Sequence, residues 1–225
     1  MTSGSSSGRA HKRMNPASSP ETRQRLVEAA TVLFAERGFT KVTVREICGS
    51  AKANVAAVNY HFGDKAGLYR EVVKNAIQSM RETDAISQRA GEGGSPEDRL
   101  RAYVRTFLQR LTERGRQSWI HKLMARELEE PTDALDLVMR QAIQPRHEYL
   151  SGIVAAIAGL AAGDPRVLRS IASVQGQCLL FARPLPAQMA KLWAPITSDV
   201  GAAADHIVDF SLAGIRAIAR HGRPT

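Results

Sequence analysis

Cysteine is scarce in this 225-residue chain: Cys48 and Cys178 are its only two, far apart in sequence. Such a pair supplies neither a disulfide framework nor a thiolate metal site, and both read as small apolar core residues. No run reaches the ~18 apolar residues that span a bilayer, and the N-terminus lacks the apolar segment of a signal peptide. A soluble, cytoplasmic chain with no membrane partner is expected. Period-two alternation is missing throughout, which predicts an all-α fold. Equally missing are a glycine-rich phosphate loop, a nucleophile elbow and a metal-spaced His/Cys pair. His121, His147, His206 and His221 fall at unrelated helical phases. The expectation is therefore no enzyme, no cofactor and no metal. The rival reading is an all-α enzyme or cofactor-binding bundle, which would need a convergent acid/base pair or a cofactor motif within residues 66–225.

What is present is basic charge, unevenly spread. Residues 1–75 hold 12 Lys+Arg against 6 Asp+Glu, a net +6, whereas residues 76–225 hold 19 against 16, a net +3. Within the basic third, residues 43–65 read as two short helices joined by a tight turn. Thr43 and Glu46 have the spacing of a capping box. Val44, Ile47, Cys48 and Ala51 then share one face of the first helix. The turn follows at Lys52, Ala53 and Asn54, where Asn54 is placed to cap the second helix. Val58 and Phe62 form that helix's inner side, leaving Val55, Ala56, Asn59, Tyr60 and Lys65 outward. Small and amide-bearing residues on an exposed helix let a backbone approach a major groove, where Asn can pair with adenine. A basic segment around a helix-turn-helix predicts double-stranded DNA as partner. A sequence-indifferent architectural DNA binder is a third reading, and it predicts no discrete footprint.

The rest of the chain organises around this motif. Residues 1–18 are Ser/Gly-rich and basic without periodicity, which predicts a disordered tail. Ser19-Pro20-Glu21 opens a first helix whose Leu26, Ala29, Ala30, Leu33 and Phe34 form an apolar stripe, ended by Gly38. Residues 19–65 make the DNA-binding domain and residues 66–225 a ligand-binding and dimerisation domain. The latter starts with a fourth helix from Asp64-Lys65, with Leu68, Tyr69, Val72, Val73, Ala76, Ile77 and Met80 on one side. Ser95-Pro96-Glu97-Asp98 restarts a helix after the Gly91–Gly94 break. A long helix over 132–162 is expected to kink at Pro145. Asp164-Pro165 begins another, Pro184 and Pro186 mark a loop, and 202–220 is the last.

The run Thr43 to Lys65 resembles the TetR family of bacterial transcriptional regulators, whose three-helix headpiece ends in an aromatic-His-Phe stretch before a Lys. The segments Arg126-Glu127-Leu128-Glu129-Glu130-Pro131-Thr132, Gln175-Gly176-Gln177-Cys178-Leu179 and Phe210-Ser211-Leu212-Ala213-Gly214 resemble its CecR-like branch. The resemblance implies a homodimeric, usually repressive regulator that leaves a palindromic operator when a small-molecule effector enters its C-terminal core. By position it implies base contacts from Arg45, Val55, Ala56 and Asn59. Thr43, Ala57, Tyr60 and Lys65 match positions near the sugar-phosphate backbone, and Asn54 and His61 complete the candidate surface. The family often has Gly where this chain has Lys52; a left-handed Lys52 would carry strain of ~1 kcal/mol.

Candidates for the effector pocket are polar groups on apolar stripes together with their neighbours: Tyr103, Phe107, Trp119, Leu123, Glu127, Ile143, His147 and Gln175. Glu127 has an alternative use as a brace for the junction that runs to Thr132. Dimer-interface candidates are Ile171, Leu179, Ile207 and Phe210, from the apolar faces of the last two long helices.

Overall fold

The computed structural model of the chain describes residues 19–113, 116–182 and 186–220, all helix, turn or loop. The expected basic tail and Pro184 lie outside them. Contacts divide the chain into two compact units, Met1–Glu71 and Val72–Thr225. The division falls after Glu71, beyond Lys65, because Leu68 and Tyr69 at the start of α4 are buried with the headpiece aromatics.

In the first unit α1 spans Pro20–Lys41, α2 Val44–Ala51 and α3 Val55–Phe62, and α4 (Lys65–Ala90) begins here. Ser19 caps α1 by accepting the Thr22 N–H, with Pro20 and Glu21 in the first turn. Gly38 breaks the helical path of α1 at φ 79, ψ 166. The core consists of Leu26, Val27, Ala30, Phe34, Val42, Ile47, Cys48, Ala51, Ala57, Val58, Leu68 and Tyr69. Burial of each large aliphatic or aromatic side chain here contributes about 1.5–3 kcal/mol. Phe34 meets Tyr69 edge-on at 5.0 Å, and Phe39 leans on Tyr69 at 4.9 Å.

Four further helices enclose the core of the second unit: α5 (Pro96–Thr112), α8 (Gln144–Ala158), α9 (Pro165–Leu179) and α11 (Val200–Arg220). Helix α6 (Arg116–Glu129) packs on α5. The short α10 (Ala187–Thr197) was not anticipated from the sequence. Ser95 and Asp98 cap α5 reciprocally, at 3.1 and 3.0 Å. Before α8 come a single turn, α7 (Leu135–Val138), and a π turn, Met139–Ile143. In the π turn Gln144 N–H reaches back five residues to Met139 O. Pro145 explains it: the ring has no N–H and would strike the carbonyl four residues earlier, so the ladder slips instead of kinking.

Candidate nucleic-acid interface and core cluster

The helix-turn-helix is held by local bonds that the residue types dictate. Thr43 N–H donates to Glu46 Oε2 at 2.8 Å, and Glu46 N–H donates to Thr43 Oγ1 at 3.3 Å. Arg37 Nη1 donates to Glu46 Oε1 at 2.7 Å. These bonds, Arg37 foremost, hold the Glu46 carboxyl down to about 2. Glu46 is thereby engaged by Arg37 and Thr43, and the neighbouring Arg45 is exposed. Lys52 ends α2 in the left-handed region, φ 50 and ψ 48, and Ala53 N–H closes the turn onto Cys48 O at 3.0 Å. Asn54 then caps α3, its Oδ1 accepting the Ala57 N–H at 2.9 Å.

The consequence is a sharply two-sided α3. Val55, Ala56, Asn59 and Tyr60 are exposed, Tyr60 at 70 %, while Ala57 and Val58 are at 0 %. Ala57 is therefore removed from the candidate DNA surface: its methyl group is packed inward and its N–H is used by the cap. Half-buried His61 lies edge-on to Tyr60 at 5.0 Å. Lys65 is also half-buried, its ammonium 4.4 Å above the Phe39 ring, and desolvation lowers its pKa. Gly67 was overlooked in the sequence: a Cβ there would stand 1.9 Å from Phe62 O. Its N–H donates to Asp64 Oδ1 at 2.6 Å, so the turn from α3 into α4 needs glycine for a close approach.

A second constellation lies inside the C-terminal unit. Arg146 on α8 grips Asp84 on α4 through two bonds of 2.9 and 3.2 Å, both side chains largely buried. The Arg146 guanidinium also lies 5.2 Å from the Phe107 ring centroid. Phe107 stacks on Tyr103 at 5.4 Å and meets the His121 ring edge-on at 6.4 Å. Gln175 Nε2 approaches Tyr103 Oη at 3.4 Å. Burial raises the Asp84 pKa, with Arg146 opposing it. The structure thus gathers Tyr103, Phe107 and Gln175 around Asp84, Arg146 and His121, which the sequence reading did not select. A signal existed: Thr83, Asp84 and Ser87 continue the phase of Met80, and Arg146 precedes Leu150 by one turn.

Residues 26–72 match the family of bacterial regulatory proteins of the tetR type, and residues 96–215 match the C-terminal domain of the HTH-type transcriptional dual regulator CecR. The CecR protein of Shigella flexneri is 30 % identical over 176 residues, covering 72 % of this chain and 75 % of its own. The chain belongs to the TetR family, in its CecR-like branch. A probable acrEF/envCD operon repressor from Escherichia coli K12 is 30 % identical over 109 residues, 48 % of this chain and 49 % of its own. The crystal structure of AibR in complex with isovaleryl coenzyme A and operator DNA shares the fold, with TM-score 0.66 and 17 % identity, covering 84 % of this chain and 97 % of that one. The family and these relatives are transcriptional regulators, not enzymes.

Within this TetR-family chain several sequence-based site assignments change. His147 is exposed on α8, turned away from the core, so it leaves the pocket set. Glu127 is 1 % exposed, but its Oε1 accepts from the Thr132 N–H and hydroxyl, both at 2.9 Å, as a brace of the helix junction does. Leu123 is buried, and half-buried Trp119 is covered by the Lys122 ammonium at 4.5 Å. Ile143 sits half-buried in the π turn. Of the dimer-interface candidates, Ile171 and Ile207 are buried within this chain's own core. Leu179 and Phe210 are exposed, Phe210 at 64 %, as are Leu168, Leu180 and Ile218. Cys48 and Cys178 are free and buried, and burial pushes the Cys178 thiol up to about 12. No helix among the described residues is long and apolar enough to cross a membrane.

Proposed function

We propose that the protein binds a palindromic DNA operator as a homodimer, represses the adjoining genes in the cytoplasm, and leaves the operator when a small-molecule effector enters the C-terminal unit. The carrying observation is the two-sided α3, whose small and amide-bearing outer row stands on a fully buried inner row. In this reading Arg45 takes guanine, Asn59 takes adenine, and Val55 and Ala56 touch thymine methyls. Thr43, Asn54, Tyr60, His61 and Lys65 position the helices on the sugar-phosphate backbone. Repression is supported by the likeness to the probable acrEF/envCD operon repressor, and ligand and operator binding by the likeness to the AibR complex.

Homodimerisation is placed on the exposed apolar row of α9 and α11, centred on Leu179 and Phe210. Two recognition helices reach successive major grooves only when about 34–36 Å apart. Helix α4 is continuous from Lys65 to Ala90 and belongs to both units. An effector that shifts α4 therefore changes this spacing without touching a base contact, and operator binding weakens effector binding by the same factor. Genomic footprinting tests the reading directly. Discrete palindromic footprints are expected, and Arg45→Ala or Asn59→Ala is expected to cost about 1–3 kcal/mol and relax one operator position. Unchanged base preference in both variants, or a monomeric Phe210→Glu protein with wild-type operator affinity, overturns it.

A further inference from the structure

Among the described residues, the C-terminal unit contains two buried polar atoms without a hydrogen-bond partner. Ser87, 2 % exposed on α4, has an Oγ without a hydrogen-bond partner, and so does the buried Nε2 of His121. His121 does bond the backbone of Arg110. Since a carbonyl only accepts, that bond uses Nδ1 as donor and fixes the ring proton there. Burial first, then the Arg146 charge, holds the imidazole down to about 4. At neutral pH Nε2 is thus a bare acceptor, and a buried acceptor without a donor is disfavoured enough to require an explanation.

The charges around it narrow what the donor can be. Arg146 and Asp84 neutralise each other, and burial raises the Tyr103 pKa above its ordinary value, so that residue stays uncharged. Two of the surrounding side chains, Tyr103 and Phe107, are stacked aromatic rings. A carboxylate ligand has no proton to donate to Nε2, and a cation would face the Arg146 charge that already acts on this ring. A neutral donor on an aromatic frame meets every one of these conditions.

We propose that this cluster recognises an uncharged, phenol-like effector, whose hydroxyl donates to His121 Nε2. The assignment rests on the effector reading above and names the ligand's chemistry.

The test uses the full chain with 15N-labelled histidine, without DNA, titrated with phenol, anisole, benzoate and benzylammonium. Phenol is expected to bind roughly five- to tenfold more tightly than anisole, the ratio one hydrogen bond supports. It is also expected to shift the His121 Nε2 resonance from that of a bare acceptor toward a hydrogen-bonded one. His121→Leu should lower phenol to the anisole level, with its melting temperature checked in parallel. The Nε2 resonance of the unsubstituted protein is a readout independent of how that variant folds. Absence of phenol binding, tighter binding of benzoate or benzylammonium, or a phenol preference that survives His121→Leu overturns the assignment. Operator release by a compound that leaves the Nε2 resonance unmoved would preserve the effector reading and remove this site from it.

Discussion

The two units bury different things. Among the described residues, the first unit encloses an apolar core with Thr22 as its one buried polar side chain. The second encloses Thr83, Ser87, Glu127, Ser151, Ser170 and Ser211, together with the nearly buried Asp84–Arg146 pair. An apolar core has one good packing, and it presents α3 in a single arrangement, as a groove-reading surface requires. Buried polar groups stabilise only while every partner is in place, so a core built around them responds when a partner changes. The headpiece core is held by apolar packing, and the core of the C-terminal unit depends on its polar partners as well.

The largest expected effect breaks the polar core of the C-terminal unit. Asp84→Ala leaves the Arg146 charge buried and unpaired, which should cost about 3–5 kcal/mol. Both tryptophans, Trp119 and Trp193, lie in the C-terminal unit. Their fluorescence during denaturant unfolding reports this loss. Replacing both partners by leucine should recover most of it, and a double-variant loss equal to the sum of the two single losses would show that the pair contributes no specific coupling.

Acid should separate the units next. The His121 pKa is lowered from 6.5 to about 4 in the folded chain, so the unfolded chain binds the proton first as pH falls. Stability of the C-terminal unit is therefore full above pH 6.5 and declines as pH falls toward 4, by on the order of 2–3 kcal/mol. His121→Leu should flatten that slope, as read from denaturant midpoints across the same pH window.

In the headpiece the sensitive points are backbone positions. Gly67→Ala drives a methyl group against the Phe62 carbonyl and should cost about 1–3 kcal/mol, seen as faster amide exchange across α1–α3 with α9 and α11 unaffected. The smallest effect has the opposite sign. Lys52→Gly relieves a left-handed lysine and should stabilise the headpiece by about 1 kcal/mol, measured by the same exchange experiment.

The headpiece was legible because its signals are local. Thr43, Glu46 and Asn54 act on N–H groups within three residues, and the apolar spacing of α1 to α3 follows one helical period. The exposure of Asn59 and Tyr60 follows from the same period. Ala57 entered the candidate surface through the family resemblance and not through helical phase, and local reasoning passed over Gly67, whose constraint comes from a carbonyl outside its own helix. In the C-terminal unit the helices were largely legible, but their polar residues were assigned by type. His147 and Glu127 were chosen as polar groups on apolar stripes, and their surroundings decided otherwise.

Sequence alone determined the all-α class, the helix-turn-helix with its caps and the family, because each depends on residues within a few positions of one another. Tertiary structure alone decided that Asp84 meets Arg146, that His121 Nε2 is left without a donor, and that Ile171 and Ile207 turn inward while Leu179 and Phe210 turn out. Asp84 and Arg146 are separated by 62 positions. No local period carries such a pairing; it exists only once α4, α5, α6 and α8 have packed, because packing sets which side chains lose water and which groups remain to replace it.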